Sequence, residues 1–459
     1  MAQPVQTRVA PLIPPKPDPA PEQMRPLDLA RRMRTNGITV YAPIAYEEEV
    51  LQRAFFGRSS FLLNAPDAIR HVLVDQHDNY GRTNATLRVL SPLLGKGLFL
   101  SEGRDWRHQR RTLAPAFTPK AISLLVPHML SPTNETVTEL QALGDEPANL
   151  FAAVQRLALE IAARTMFSLE MRQNSPALRD FVVRYGQGLA RTHLLDVVLP
   201  LSVPSPFDLG RLWFSRRWMR FFEQLMAERH RSGPSPEKPR DLFDLLLASR
   251  DPETGQAFSA TQLRDQAATM ILAGHETTAV ALSWALYLLA LAPESQERVA
   301  QEATQVPLNG EGAAALERLT YTRAVLDEAM RLYPPAYVIV RTARVPDEVA
   351  GLGVRSGDLM VVSPWVLHRH RRRWANPDAF DPERFLPGGP GVDRYAYLPF
   401  GVGPRICIGA HFALTEATLV LARLLQSFRI ELVSSAPVMP VAIVTTQPDH
   451  QPWFRLKPR

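Results

Sequence analysis

Between about Asp67 and Tyr333 the chain reads as a series of helices, with short strand-like runs near its two ends. GITVYA (37–42) and SSFLLN (59–64) are the first strand candidates. Two proline-rich stretches, SVPSPFDLG (202–210) and RSGPSPEKPR (231–240), interrupt the helical pattern. The clearest helix begins at Ser259, where Ser259-Ala-Thr-Gln262 has the spacing of a capping box. No proline interrupts it before about Leu291, and Pro293 follows. At about 1.5 Å per residue it would span roughly 50 Å. It is apolar on most faces between Ala267 and Leu291, which predicts a central buried helix. A second helix is predicted from Tyr321 to Leu332, stopping before Pro334-Pro335. Strand and turn follow in YVIVRTAR (337–344), GLGVRSGD (351–358) and LMVVS (359–363). A loop rich in Pro, Asp and Gly covers 374–406. A last helix comes after Cys407, and FRIEL, AIVTT and WFRLK read as closing strands.

Length alone would allow about three domains for 459 residues. The pattern instead reads as one mainly α unit with a small β region over 35–459, preceded by a proline-rich arm over 1–34 that is extended or disordered. There is no internal repeat. No apolar run reaches about 18 residues, so no transmembrane helix is expected, and the long helix carries Asp265, His275 and Glu276. No signal peptide is visible.

The net charge of +6 is mildly basic, without a long Lys/Arg block. Arg369 and Arg371–Arg373 come nearest to one, so a nucleic-acid role has little support, and a basic face for an acidic protein partner fits equally well. A single cysteine excludes intrachain disulfides and zinc sites built on paired cysteines. That usage suits a reducing, cytoplasmic compartment.

The one cysteine lies in Phe400-Gly-Val-Gly-Pro-Arg-Ile-Cys-Ile-Gly409, a Gly/Pro-rich loop that runs into a helix. A thiolate beside a helix N-terminus is stabilised by free N–H groups. Gly401, Gly403 and Gly409 allow tight turns and close approach to a flat ligand. Arg405 offers a cation to an anionic substituent. Elsewhere, Ala273-Gly-His-Glu-Thr-Thr278 places a glycine, an acid and two hydroxyls mid-helix, where they do nothing for helix stability. A threonine hydroxyl bonding back to a helical carbonyl can open such a helix for a small ligand. Glu328-Ala-Met-Arg331 sets a carboxylate and a guanidinium three residues apart on one helix face. Pro382-Glu-Arg-Phe385 and Trp106-Arg-His-Gln-Arg110 complete the set of singular segments.

In this order the segments resemble the haem loop, acid–alcohol helix, ExxR helix, PERF segment and WxxxR helix of the cytochrome P450 family. The resemblance runs from about residue 35 to the C-terminus. It implies the cytochrome P450 fold, with the long central helix crossing a haem b. Cys407 would be the axial iron ligand, and a thiolate ligand favours O–O cleavage. Thr277, Glu276 and Gly274 would serve dioxygen activation and proton delivery. His275, at the variable position of that motif, is read as a packing or solvent-facing residue. Trp106, Arg110, Arg341, His368, Phe400, Arg405 and Gly409 would contact the haem, and Glu328, Arg331 and Arg384 would brace the cysteine loop. Substrate contacts would come from Leu87–Leu98, Ala273, Ala336, Tyr337, Val338, Ile339, Val444 and Thr445, with segment 188–222 as an access lid.

The resemblance further implies insertion of one oxygen atom from O2 into a lipophilic molecule, of terpenoid, steroid or fatty-acid type. No flavin or iron–sulfur segment follows the haem loop. Electrons from NAD(P)H are therefore expected through a separate ferredoxin and ferredoxin reductase, with a monomeric enzyme as acceptor. The rival readings are a peroxide-using peroxygenase or isomerase on the same fold, which Glu276-Thr277 disfavours, and a non-catalytic haem sensor.

Overall fold

The computed structural model describes residues 11–459 except 56, 169–180, 182–184, 192, 232, 234–238 and 309–312. Parts of the proposed arm, the access segment and the 231–240 breaker lie outside the described residues.

Ala260–Leu291 forms one helix of 32 residues, and its start is capped as the spacing requires. Gln262 N–H donates to Ser259 Oγ at 3.2 Å, and Ser259 N–H donates to Gln262 Oε1 at 2.9 Å. The helix runs through the main apolar core, with Trp284, Ala285, Leu286, Leu288 and Leu289 fully buried. Leu150–Phe167 packs along it, as does the Thr320–Leu332 helix. Its polar residues hold a loop in place: Asp265 Oδ2 accepts from Lys96 N–H at 2.8 Å and Gln266 Oε1 from Leu98 N–H at 3.0 Å. No single helix among the described residues is long and apolar enough to cross a membrane; this helix passes only paired with Pro293–Thr304 across a 116° bend.

The largest sheet has five strands, in the order Val50–Phe55, Arg58–Leu63, Leu359–Val362, Ile339–Ala343 and Tyr80–Gly81. Arg58–Leu63 pairs parallel to Leu359–Val362, and the other pairings are antiparallel. Three two-stranded ribbons complete the β content among the described residues, including Phe428–Leu432 with Phe454–Pro458 and Pro440–Ala442 with Thr446–Pro448.

Two strand expectations are corrected. GITVYA is a 3-10 turn over Gly37–Val40. Asn36 holds it to the Pro440–Ala442 strand through its side chain, donating to Pro440 O at 2.9 Å and accepting from Ala442 N–H at 2.9 Å, so no backbone ladder forms. AIVTT is not one strand: it spans the bend 443–445 that joins Pro440–Ala442 to Thr446–Pro448. The first hairpin strand, Val50–Phe55, was not visible as a pattern. The described part of the arm is docked on the body. Ala20 N–H donates to Tyr41 O, Tyr333 Oη donates to Pro15 O, and Pro26–Thr35 is helical.

Candidate active site

The cysteine loop is shaped by short backbone bonds. Gly401 N–H reaches Leu398 O at 3.2 Å, Ile406 N–H reaches Gly403 O at 3.0 Å, and Cys407 N–H reaches Phe400 O at 2.9 Å. Gly401 and Gly403 both have positive φ, at 72° and 78°. At Gly403 there is also no room, because a Cβ would stand 2.3 Å from the Leu73 carbonyl oxygen. Gly403→Ala is therefore expected to cost at least about 1–2 kcal/mol for the left-handed backbone alone. Overlap with Leu73 adds to that. A lower melting temperature and weaker haem retention should result; wild-type values for both would contradict the packing described.

Cys407 faces a large internal cavity of about 800 Å³, toward the upper end for ligand sites. The helix Ala410–Ser427 starts just beyond it, capped by Gly409. Burial pushes the Cys407 thiol up, while the Gly409 backbone N–H and the Arg110 charge favour the thiolate.

The same cavity is lined by Gly274 and Thr277 of the long helix. Thr277 Oγ1 donates to the Ala273 carbonyl, one helical turn back, at 2.7 Å. A Cβ at Gly274 would meet nothing within 4 Å, so the space over this turn belongs to the cavity. Ala273, Ala336, Tyr337, Val338, Ile339 and Val444 also line it, as do Val89, Leu90 and Leu98 from the 87–98 region and Val197 and Val198 from the access segment. That segment is tied down by buried cations: Arg211 binds Asp196 through both terminal nitrogens, and Arg88 donates to the Pro200 and Val203 carbonyls.

Six arginines line the cavity and no Asp or Glu does, among the described residues. Arg110, Arg341, Arg405, Trp106, Phe400 and Gly409 all line it. The Arg405 guanidinium lies 4.6 Å over the Trp106 ring and donates to Ser101 O at 3.1 Å. Arg110 donates to Ile406 O at 2.9 Å. Arg82 joins this group, and no local pattern marked it. Its buried Nε has no hydrogen-bond partner. Burial, then the neighbouring charges of Arg341 and Arg405, hold the Arg82 guanidinium well below its usual range. Burial brings Arg341 and Arg405 down to about 10, with Arg405 adding to the effect on Arg341.

Crowded, under-compensated cations of this kind call for an anionic occupant. No cluster of three or more His, Cys, Asp or Glu that could hold a bare metal ion exists among the described residues. One thiol, a shielding pair of positive-φ glycines and a group of arginines fit a metal carried by an anionic prosthetic group. These residues fit haem.

Glu328 and Arg331 are fully buried and paired. Arg331 uses all five of its N–H donors: two on Glu328 at 2.6 and 2.7 Å, and one each on the carbonyls of His368, Pro377 and Ala379 at 2.7–2.8 Å. Glu328 also accepts from Asp381 N–H at 2.8 Å, and Arg384 donates to the Ala375 and Asn376 carbonyls. This network fixes the strip 375–381 that leads into the cysteine loop.

The propionate role of His368, the pocket role of Thr445 and the basic face at Arg369–Arg373 are corrected by position. His368 does not line the cavity and cannot face a propionate there. It is wholly buried, and its Nε2 accepts from Leu398 N–H at 2.9 Å, which places the proton on Nδ1, facing Arg331 O at 3.3 Å. Burial, with the Arg331 and Arg369 charges, pushes its imidazole down to about 3 and keeps it neutral. His368 thus ties the Glu328–Arg331 network to the start of the cysteine loop. Glu276 and Thr445 are not in the cavity wall; they bond to each other instead. His275 is buried, with Nδ1 at 2.8 Å from Ile271 O. The Arg369–Arg373 group is not an open basic face. Arg369 is buried 3.7 Å over the Trp365 ring, while Arg371 and Arg373 pair with Glu47 and Glu49.

Comparison with known proteins agrees with this geometry. The cytochrome P450 family model matches residues 14–451. Cyclooctatin synthase of Streptomyces melanosporofaciens is 34% identical over 393 residues, covering 83% of each chain. Cyclooctat-9-en-7-ol 5-monooxygenase of the same organism is 30% identical over 380 residues, covering 82% of this chain and 81% of that protein. The haem domain of a cytochrome P450DA mutant superposes with a TM-score of 0.78 at 25% identity, covering 90% of each chain.

Proposed function

The chain belongs to the cytochrome P450 family and is a monooxygenase of that family, and we propose that it inserts one oxygen atom from O2 into a lipophilic small molecule. The observation that carries this reading is the meeting of Cys407, Gly274, Thr277 and the arginine group on one otherwise apolar cavity.

In this reading Cys407 supplies the thiolate ligand, and Arg82, Arg110, Arg341, Arg405 and Trp106 hold the propionates. When bound, the haem supplies the reducible iron at which dioxygen is activated. The chain's own contribution is placement and protons. Gly274 leaves room beside the helical turn that Thr277 bonds back to. Thr277 keeps its hydroxyl on that turn, where it can accept a proton from the interior and pass one into the cavity. Glu276, the adjacent acid, is the proton source. Apolar walls from Val89, Leu98, Ile339 and Val444 exclude water and select a hydrocarbon-rich substrate. Terpenoid, steroid and fatty-acyl compounds all suit such walls. The two Streptomyces relatives, one of them named for an unsaturated carbocyclic alcohol, favour the first. Electrons come from NAD(P)H through a separate ferredoxin and its reductase, to a monomeric cytoplasmic enzyme.

Spin-state titration against terpenoids, steroids and fatty acids would identify the substrate class. Thr277→Ala tests the chemistry. Product formed per reductant consumed under dioxygen should fall by roughly a hundredfold, the lower end of general acid–base contributions. Peroxide-driven product formation should persist. Equal losses in both assays, or none, would contradict the role given to Thr277.

A further inference from the structure

Glu276 is one residue from Thr277, yet its side chain leaves the cavity wall. One helical step turns it by about 100°, toward the hairpin Pro440–Pro448. There Glu276 Oε1 accepts from Thr445 Oγ1 at 2.7 Å and from Gln447 Nε2 at 3.2 Å. Gln447 Nε2 also donates to Thr445 Oγ1 at 3.0 Å, which orients the hydroxyl proton toward the carboxylate.

We propose that Thr445 and Gln447 are positioning residues for Glu276, and that the bend 443–445 links this carboxylate to whatever fills the cavity. The proposal rests on the role of Glu276 as proton source given above. Both donors fall on one oxygen. The terminal torsion of a glutamate is otherwise broad, so these bonds select which oxygen is held and which is left to exchange protons.

The link to the cavity follows from what is fixed and what is not. Thr446 is anchored at three atoms. Its N–H donates to Pro335 O at 3.1 Å, its Oγ1 donates to Pro334 O at 2.6 Å, and its carbonyl accepts from Trp284 Nε1 at 2.7 Å. Ile443 and Val444, on the other side of Thr445, line the cavity. Tyr337, also a lining residue, donates to Ile443 O at 3.2 Å. Thr445 therefore grips Glu276 between a fixed point and a residue that a bound molecule touches. Hydrogen bonds weaken steeply with misalignment, so a small displacement at Val444 changes the hold on the carboxylate.

The reaction gives this hold a consequence. One O2, two electrons and two protons yield one oxygen atom in product and one in water. When protons reach the wrong oxygen, the same electrons and protons leave with both oxygen atoms as hydrogen peroxide, and no product forms. Added peroxide brings its own two electrons and two protons, and makes no call on Glu276.

The test uses the haem-loaded protein with the Thr445→Val, Thr445→Ser, Gln447→Met, Val444→Ala and Glu276→Gln variants. The first readout is the infrared carboxylate stretch of Glu276 in the resting protein, identified as the band that Glu276→Gln removes. It should shift in Thr445→Val and Gln447→Met, return toward wild type in Thr445→Ser, and shift in Val444→Ala. The second is the ratio of oxygen-driven to peroxide-driven product formation, on the compound identified by spin-state titration. Thr445→Val should lower it roughly ten- to a hundredfold, the scale of one hydrogen bond to a charged group, and Thr445→Ser should restore it. If Glu276→Gln leaves the ratio unchanged, Glu276 is not the proton source, and the earlier reading fails. If Glu276→Gln lowers the ratio while Thr445→Val and Gln447→Met match wild type in both readouts, the positioning role alone is overturned. An unshifted band in Val444→Ala overturns the link to the cavity.

Discussion

Arg331→Ala is expected to abolish haem loading and to lower stability by about 3–5 kcal/mol, the usual cost of removing one partner from a buried ion pair. Two losses add up there. Glu328 would remain fully buried with only Arg384, 3.5 Å away, as a counter-charge. The carbonyls of His368, Pro377 and Ala379 would each lose a donor, two of them in fully buried bonds. Arg331→Lys should fail almost as badly. An ammonium keeps the charge, but it cannot reproduce a planar fork that reaches Glu328 and three carbonyls at once. Haem content after purification and the thermal midpoint are the measurements. A variant that keeps its haem and melts within a few degrees of wild type would show that the network does not support the cysteine loop.

Cys407→Ser should behave in the opposite way. The side chain faces the cavity rather than packed protein, so the haem-free chain should lose about 1 kcal/mol of stability or less. Dioxygen-dependent product formation should nevertheless disappear. A serine hydroxyl is not ionised at neutral pH, even with the Gly409 N–H and Arg110 nearby. The pair of variants therefore separates the two halves of the site: Arg331 acts on the fold that presents the loop, and Cys407 acts on the chemistry at its tip. Product formation by Cys407→Ser at the wild-type rate would remove the cysteine from the mechanism.

What could be read from the chain beforehand was what lies close together along it. Ser259 and Gln262 cap one helix end, Glu328 and Arg331 share one helix face, and Gly401, Gly403 and Cys407 belong to one loop. Each is a local arrangement, and each stands where its spacing puts it. What could not be read depends on partners far away in sequence. Arg82 becomes part of the arginine group only because the strand ending at Gly81 pairs with Ile339–Ala343, which carries Arg341. His368 has the residue type expected of a propionate partner, but the Leu398 N–H and the Arg331 carbonyl claim both its nitrogens. Thr445 sits beside a true lining residue, and alternation at the bend turns it away to Glu276. GITVYA has the composition of a strand, yet Asn36 uses its side chain where a strand would use backbone.

The run Arg369–Arg373 teaches the same lesson for charge. Counted along the chain it is a basic patch. In space one arginine is buried against Trp365, and two are paired with Glu47 and Glu49. Net charge predicted a partner surface, but it could not say which cations remain free to form one.

The central claim is that Cys407 binds haem iron as a thiolate, and the carbon monoxide difference spectrum of the reduced wild-type protein tests it most directly. The strongly red-shifted Soret band of a thiolate-ligated haem is the expected result; a spectrum of the histidine-ligated type would contradict it.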